Sequence, residues 1–238
     1  MNRVDRYSFT EVNTVEKISP VNTSIDKKGL KLVIYKVIKR IIDIIGGLIG
    51  IITLIPLTII IYISRKILHE DDGPIFYDQM RMGKDGKVFK MYKYRSMVVD
   101  ADKKLDKYLE ENEEARKEYK EYKKLKNDPR VTKVGNFIRR TILDEFPQFI
   151  NVLKGEMSLV GPRPYLPREK EDMKEYYTYI IQSKPGITGY WQIAGRSDVT
   201  FENRLKMDYD YNQNKNLKTD LKLLAKTILN VVKKEGAI

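Results

Sequence analysis

Between Ile41 and Ile63 the chain carries one charge, Asp43, among residues that are almost all apolar. No other stretch restricts the fold as much. As a helix the run would reach ~35 Å at 1.5 Å per residue, enough to cross a hydrocarbon core of ~30 Å. Lys36, Lys39 and Arg40 precede it, and Arg65 and Lys66 follow it. Basic flanks on both sides favour leaving both ends on the cytoplasmic face. Pro56 lies well inside the run and should kink a helix there, because it lacks an N–H and clashes with the carbonyl four residues back. Asp43 near one end also speaks against a plain crossing. A helix that enters, bends at Pro56 and returns satisfies all three features. A spanning anchor with a proline kink satisfies the length. On these residues alone the two readings stand level, while a buried helix of a soluble protein does not suit a run with no polar face.

The formal charge is +12 over 238 residues, which calls for an anionic partner: nucleic acid, a phosphate-rich substrate or an anionic membrane surface. With no cysteine, a disulfide framework, a thiolate zinc site and a catalytic thiol are all excluded. The single histidine, His69, rules out a multi-histidine metal site and is expected to be an ordinary residue at a helix end. Residues 1–28 are polar and aperiodic, the composition of a flexible leader. They do not fit a signal peptide, since the first apolar run starts late and no small-residue cleavage site follows it.

Downstream, Ile75–Tyr77 and Val88–Tyr92 read as short strands joined by a hairpin connection at Gly83–Lys87. Val98 to Lys126 reads as one charged helix with a stripe of Leu105, Tyr108, Leu109, Ala115, Tyr119, Tyr122 and Leu125. Glu169–Ile181 and Phe201–Tyr211 are expected to be helical. Leu217–Val232 has the pattern of a basic amphipathic helix, suited either to a membrane interface or to core packing. Trp191, the only tryptophan, suits core packing, interfacial anchoring or stacking on a base.

The chemistry concentrates in Arg139-Arg140-Thr141-Ile142-Leu143-Asp144-Glu145-Phe146-Pro147. Pro147 belongs in a first helical turn, so a helix is expected to begin near Leu143 or Asp144 and stop at Gly155. Asp144 would then sit at the positive end of a helix dipole, ionised and close to anion-binding N–H groups, as suits a nucleophile toward phosphorus. The plainer alternative is that Asp144 is an N-cap, or forms a capping box with Thr141. Further on, Gly161-Pro162-Arg163-Pro164 holds an arginine on a stiff backbone, a device suited to clamping phosphate, with a surface turn as the alternative.

Taken together, these stretches resemble the bacterial sugar transferases, the monotopic phosphoglycosyl transferases. The resemblance rests on the apolar run with Pro56, on Phe89-Lys90-Met91-Tyr92-Lys93-Tyr94-Arg95-Ser96-Met97, and on Arg139 through Glu145. It continues through Asn151–Pro164, Lys184-Pro185-Gly186-Ile187-Thr188-Gly189, Trp191-Gln192 and Gly195-Arg196. It covers the chain from about Lys36 onward. It implies an α+β, mostly helical monotopic membrane protein with a re-entrant kinked helix, a small β-hairpin and interfacial amphipathic helices. The implied division is a leader at 1–28, the membrane helix at 29–66 and a cytoplasmic catalytic domain at 67–238.

The implied reaction moves a hexose-1-phosphate from a UDP-sugar to undecaprenyl phosphate, releasing UMP through a covalent aspartyl-phosphosugar intermediate, at the cytoplasmic face of a bacterial cell membrane. This would start the assembly of a capsule, exopolysaccharide or related glycan. Asp144 matches the nucleophile and Glu145 its partner, and both match ligands for Mg²⁺. Lys93, Arg95, Arg139, Arg163 and Arg196 match phosphate-binding positions. The Trp191-Gln192 and Gly195–Asp198 pattern leans toward galactose or glucose over N-acetylated donors. Expected partners are the UDP-sugar, the polyprenyl phosphate and cytoplasmic-leaflet lipid, with room for a homo-oligomer and no role for nucleic acid. The family often has serine before the kinking proline, where this chain has Ile55. The alternative from another class is a non-catalytic scaffold that binds anionic lipid.

Overall fold

The computed structural model describes residues 27–122, 124–194 and 199–233. The leader expected at 1–28 falls almost wholly outside them, and so does Arg196. The apolar run is the centre of one long helix, α1, Lys27–Ile67. It remains helical through Pro56, and the hydroxyls of Thr53 and Thr58 bond back to Gly50 O and Leu54 O on either side of that residue.

An antiparallel hairpin follows, β1 Phe76–Met82 and β2 Val88–Tyr94, in register from Phe76↔Tyr94 to Met82↔Val88. Both strands are longer than expected. The connection is the expected one, with Asp85 (φ 58°) and Gly86 (φ 74°) turning the chain. The single helix expected from Val98 to Lys126 is in fact two, α2 Ala101–Glu111 and α3 Glu113–Tyr122. Asn112 is extended between them, and its side chain accepts from Ala115 N, so it caps the second helix. The apolar stripe then folds onto itself: Leu105, Ala115 and Leu125 make a small buried cluster of their own.

Helix α4, Lys133–Arg140, starts at the Thr132 cap, which accepts from Gly135 N. It is followed by a 3₁₀ turn at Leu143–Glu145 and then α5, Gln148–Lys154. Two three-residue strands, β3 Ser158–Val160 and β4 Gly186–Thr188, pair in parallel. Of the helix expected at Glu169–Ile181, only α6, Tyr176–Ile180, is α-helical, with a 3₁₀ turn at Pro167–Glu169 before it. Then come α7 Tyr190–Ile193, α8 Phe201–Asn214 and α9 Leu217–Lys233. The C-terminal helix packs one side into the core and leaves apolar residues outside it. Leu223 is buried in the core, whereas Leu221, Ile228 and Leu229 stay exposed.

Helix α1 is docked along its length. Tyr35 and Lys39 bond Asp220, and the Arg40 guanidinium donates to Val152 O and Leu153 O. Asp43, the one charge in the apolar run, accepts from Ser158 Oγ and Leu159 N. Gly46, Gly47 and Gly50 let the side chains of Leu159, Leu153 and Phe149 press against the helix. Beyond Pro56, Thr58 meets Tyr94 Oη, and Arg65 meets Asp71. Leu54 and Ile61 are buried with Tyr94, Val134 and Ile138. The outer face is bare: Val37, Ile41, Ile45, Ile49, Ile52, Ile55, Ile59 and Ile63 are all about half exposed or more. By length and composition this is the one helix among the described residues suited to crossing a membrane.

Candidate active site

Asp144 and Glu145 lie on the 3₁₀ turn and precede α5 rather than opening it. The expectation of one helix from Leu143 to Gly155 is corrected here: Pro147 is the residue before α5, and Gly155 (φ 80°) closes it. Glu145 N and Phe146 N bond three residues back, to Ile142 O and Leu143 O, and Pro147 has no N–H to donate, so no α-helical ladder runs across the turn into α5. Ile142 adopts φ 63°, ψ 11°, a left-handed conformation that a β-branched residue rarely takes, and this separates the turn from α4. The Thr141 hydroxyl donates back to Phe137 O, and Thr141 closes α4.

Lys93, near the end of β2, brings its ammonium to both carboxylates, 4.0 Å from Asp144 Oδ2 and 3.6 Å from Glu145 Oε1. All three side chains are about a quarter exposed or less, so the group is partly shielded yet open to an incoming ligand. Asn151 holds β2 against α5. Fully buried, it accepts from Tyr92 N and donates to Lys90 O and to Glu156 Oε2. Its supporting role escaped the reading of the residues, where its only mark was its place in the Asn-Val-Leu-Lys-Gly-Glu stretch.

The other expected phosphate ligands divide into groups. Arg139, on the last turn of α4, has a buried Nη1 with no partner among the described residues. Arg95 is committed elsewhere: it pairs with Asp71, which also takes Arg65 at 3.3 Å. Burial opposes ionisation of Asp71, but Gly73 N–H and the two arginines prevail and hold its carboxyl below the usual range. A cavity of about 460 Å³ opens beside this turn, lined by Tyr62, Arg65, Lys66, Asp71 and their neighbours, and the carboxylate pair is not part of its lining.

Arg163 sits in a second cluster. Its guanidinium lies 5.1 Å from the Trp191 ring, with Arg204 over the same indole at 5.3 Å. Arg163 N donates to Asp208 Oδ2, which also accepts from Tyr165 Oη. Asp208 is fully buried, and burial pushes its carboxyl up to about 7 against the pull of Tyr165, Arg163 and Arg204. Arg81 adjoins this cluster and donates to Pro164 O; burial and the nearby Arg163 lower it to about 9. In the hairpin Arg81 faces Phe89, four residues from Lys93, or ~13 Å along the strand. The structure therefore separates a carboxylate–lysine centre from an arginine–tryptophan centre. Arg163 Nε and Trp191 Nε1 remain buried donors with no partner among the described residues. Trp191 is held between cations rather than in the apolar core.

A family model described as "Bacterial sugar transferase" matches residues 34–234. A UDP-galactose-lipid carrier transferase of Erwinia amylovora is 45% identical over 201 residues, covering 84% of this chain and 41% of the relative. An undecaprenyl-phosphate galactose phosphotransferase of Salmonella typhimurium is 44% identical over 200 residues, again 84% of this chain and 41% of the relative. The chain thus spans about two fifths of the length of these relatives. An exopolysaccharide production protein, ExoY, of Sinorhizobium fredii is 39% identical over 199 residues, covering 84% of this chain and 87% of the relative.

Proposed function

This chain belongs to the bacterial sugar transferase family, and from that premise we propose that it moves a hexose-1-phosphate from a UDP-sugar to a polyprenyl phosphate and releases UMP. The observation that carries the reading is the Asp144–Glu145 pair facing the Lys93 ammonium, in a protein whose long helix presents a bare apolar face. Asp144 attacks the sugar-bearing phosphorus. The bond from that phosphorus to the bridging oxygen breaks, and UMP leaves with the electron pair. A phosphate oxygen of the polyprenyl acceptor then displaces the Asp144 carboxylate from the same phosphorus. Two displacements let one site serve a water-soluble donor and a membrane-bound acceptor in turn. Lys93 neutralises phosphate charge beside the nucleophile, and the Arg139 donor that has no partner among the described residues suits another anionic oxygen of the donor.

Two adjacent carboxylates, partly exposed, fit a Mg²⁺ that keeps waters and takes substrate oxygens, and among the described residues no set of three or more acidic or imidazole groups gathers. Asp144 and Glu145 would hold the ion. When bound, it would supply further charge neutralisation on the diphosphate.

The same proposal puts the outer face of α1 in the cytoplasmic leaflet, with the helix bent at Pro56 so that both ends return to one side. The support is the docking of α1 from Tyr35 to Arg65, ~45 Å of helix, against a domain too charged to follow it into hydrocarbon. Cysteines placed at Val21 and Leu105 should both label from the cytoplasmic side, and labelling on opposite sides would overturn the topology. For the reaction, protein in nanodiscs is given a panel of UDP-sugars with Mg²⁺ and undecaprenyl phosphate. UMP release with UDP-galactose or UDP-glucose is the expected result. Saturable lipid binding with no UMP from any donor would replace the transferase with a scaffold.

A further inference from the structure

We propose that Lys36, Arg40, Lys84, Lys184 and Lys215 form a cradle for the phosphate of an anionic phospholipid, at the end of α5 remote from the carboxylate pair. The seven residues of α5 separate the two ends by ~10 Å. Arg40 covers the C-terminal carbonyls of α5. Above Gly155, the point a Cβ would occupy lies 3.4 Å from Lys184 Nζ and 3.6 Å from Arg40 Nη2. Lys215 reaches the same strip by donating to Ser183 Oγ, next to Lys184. The hairpin tip arrives through Asp85 N, which donates to Ile181 O, and brings Lys84 with it.

These cations feel one another. Burial and then the charges of Arg40 and Lys84 lower Lys184; burial and then Lys36, Lys39 and Lys84 lower Lys215. The acidic groups within reach are already engaged. Asp43 accepts from Ser158 and Leu159, Asp220 takes Lys39, Tyr35 and Tyr211, and Asp85 meets Lys84 only at 3.8 Å. Among the described residues Arg40, Lys184 and Lys215 form no ion pair with a carboxylate. An excess of positive charge held this way suits a phosphate.

The hydrophobic surroundings select a lipid. Lys36 and Arg40 are one turn apart on α1, next to Val33, Val37, Ile41 and Ile44, which are all exposed. A headgroup in the cradle would lay its acyl chains along that aliphatic wall, for which a soluble nucleotide has no use. The inference needs lipid on the outer face of α1 and does not need the transfer reaction, so a failure of UMP release leaves it standing.

The test is the affinity of the detergent-solubilised full chain for short-chain phosphatidylglycerol, with phosphatidylcholine as comparison. Lys184→Gln with Lys215→Gln should weaken phosphatidylglycerol binding about tenfold or more. Lys36→Gln with Lys84→Gln, at two exposed positions, should weaken it in the same direction without disturbing a half-buried side chain. Lys103→Gln with Lys107→Gln on α2 removes the same charge elsewhere and should leave affinity within about twofold. Equal weakening by all three pairs, or equal binding of phosphatidylcholine, would overturn the cradle. Displacement by inorganic phosphate or by polyprenyl phosphate at the concentration of the phospholipid would overturn the assignment to phospholipid.

Discussion

Asp43 gives the sharpest test of how the apolar helix is held. The residue is 4% exposed, and one oxygen, Oδ1, accepts from Ser158 Oγ at 2.9 Å and Leu159 N at 2.8 Å. Asp43→Ala leaves two buried donors without a partner, at ~1–3 kcal/mol each, or about 4 kcal/mol together. Asp43→Asn keeps an oxygen where both donors point and loses the charge assistance, about 1 kcal/mol. For a domain of this size a kcal/mol moves Tm by ~2–4 °C. Alanine should therefore lower the main unfolding transition in detergent by ~8–16 °C and asparagine by ~2–4 °C. Alanine and asparagine variants that melt together, or an alanine variant within ~2 °C of the parent, would refute the idea that Asp43 pins α1 to β3.

Lys93→Met should lower kcat for UMP release about 100-fold with Tm little changed, because it removes the cation beside the two carboxylates; a KM effect alone would argue against that role. Gly50→Ala should destabilise by ~1–3 kcal/mol, since its Cβ would run into the Phe149 ring, whereas Gly29→Ala meets nothing within 4 Å and should be neutral or slightly stabilising in the same melt. Asp208 has a folded pKa of about 7 against an ordinary 3.8, so between those values the folded state keeps a proton that the unfolded chain has lost. Stability should then fall as pH rises through that window, and Asp208→Asn should flatten the fall; urea unfolding at about pH 5 and about pH 8 that shows one slope for both proteins would contradict it.

The residues announced their long-range features unevenly. The apolar run, the hairpin connection and the C-terminal helices were legible because periodicity and turn residues are local signals. The break at Asn112 was not, since the stripe from Leu105 to Leu125 reads the same whether the helix is straight or folded on itself. Strands β3 and β4 have three residues each and pair across more than twenty intervening positions, so no local pattern marks them. Asp144, Glu145 and Lys93, which the sequence groups by resemblance, do come together in the fold. Arg95 was grouped with Lys93 from its place in the same stretch, but its partner Asp71 lies in the turn after α1, a pairing only the fold creates. Arg204, Asp208 and Tyr165 carry no local signal for the same reason. Each looks ordinary in its own helix or loop and gains meaning only against Arg163 and Trp191.

The central claim is that Asp144 becomes covalently bonded to phosphorus during turnover. The direct measurement is the intact mass of the protein after incubation with its UDP-sugar and Mg²⁺, without acceptor, together with the UMP released. The account predicts about one UMP per protein and a hexose-phosphate adduct that maps to the peptide containing Asp144, is discharged by undecaprenyl phosphate, and is absent from Asp144→Asn. An unmodified protein that nevertheless releases UMP only when the acceptor is present, or an Asp144→Asn variant with full turnover, would contradict it.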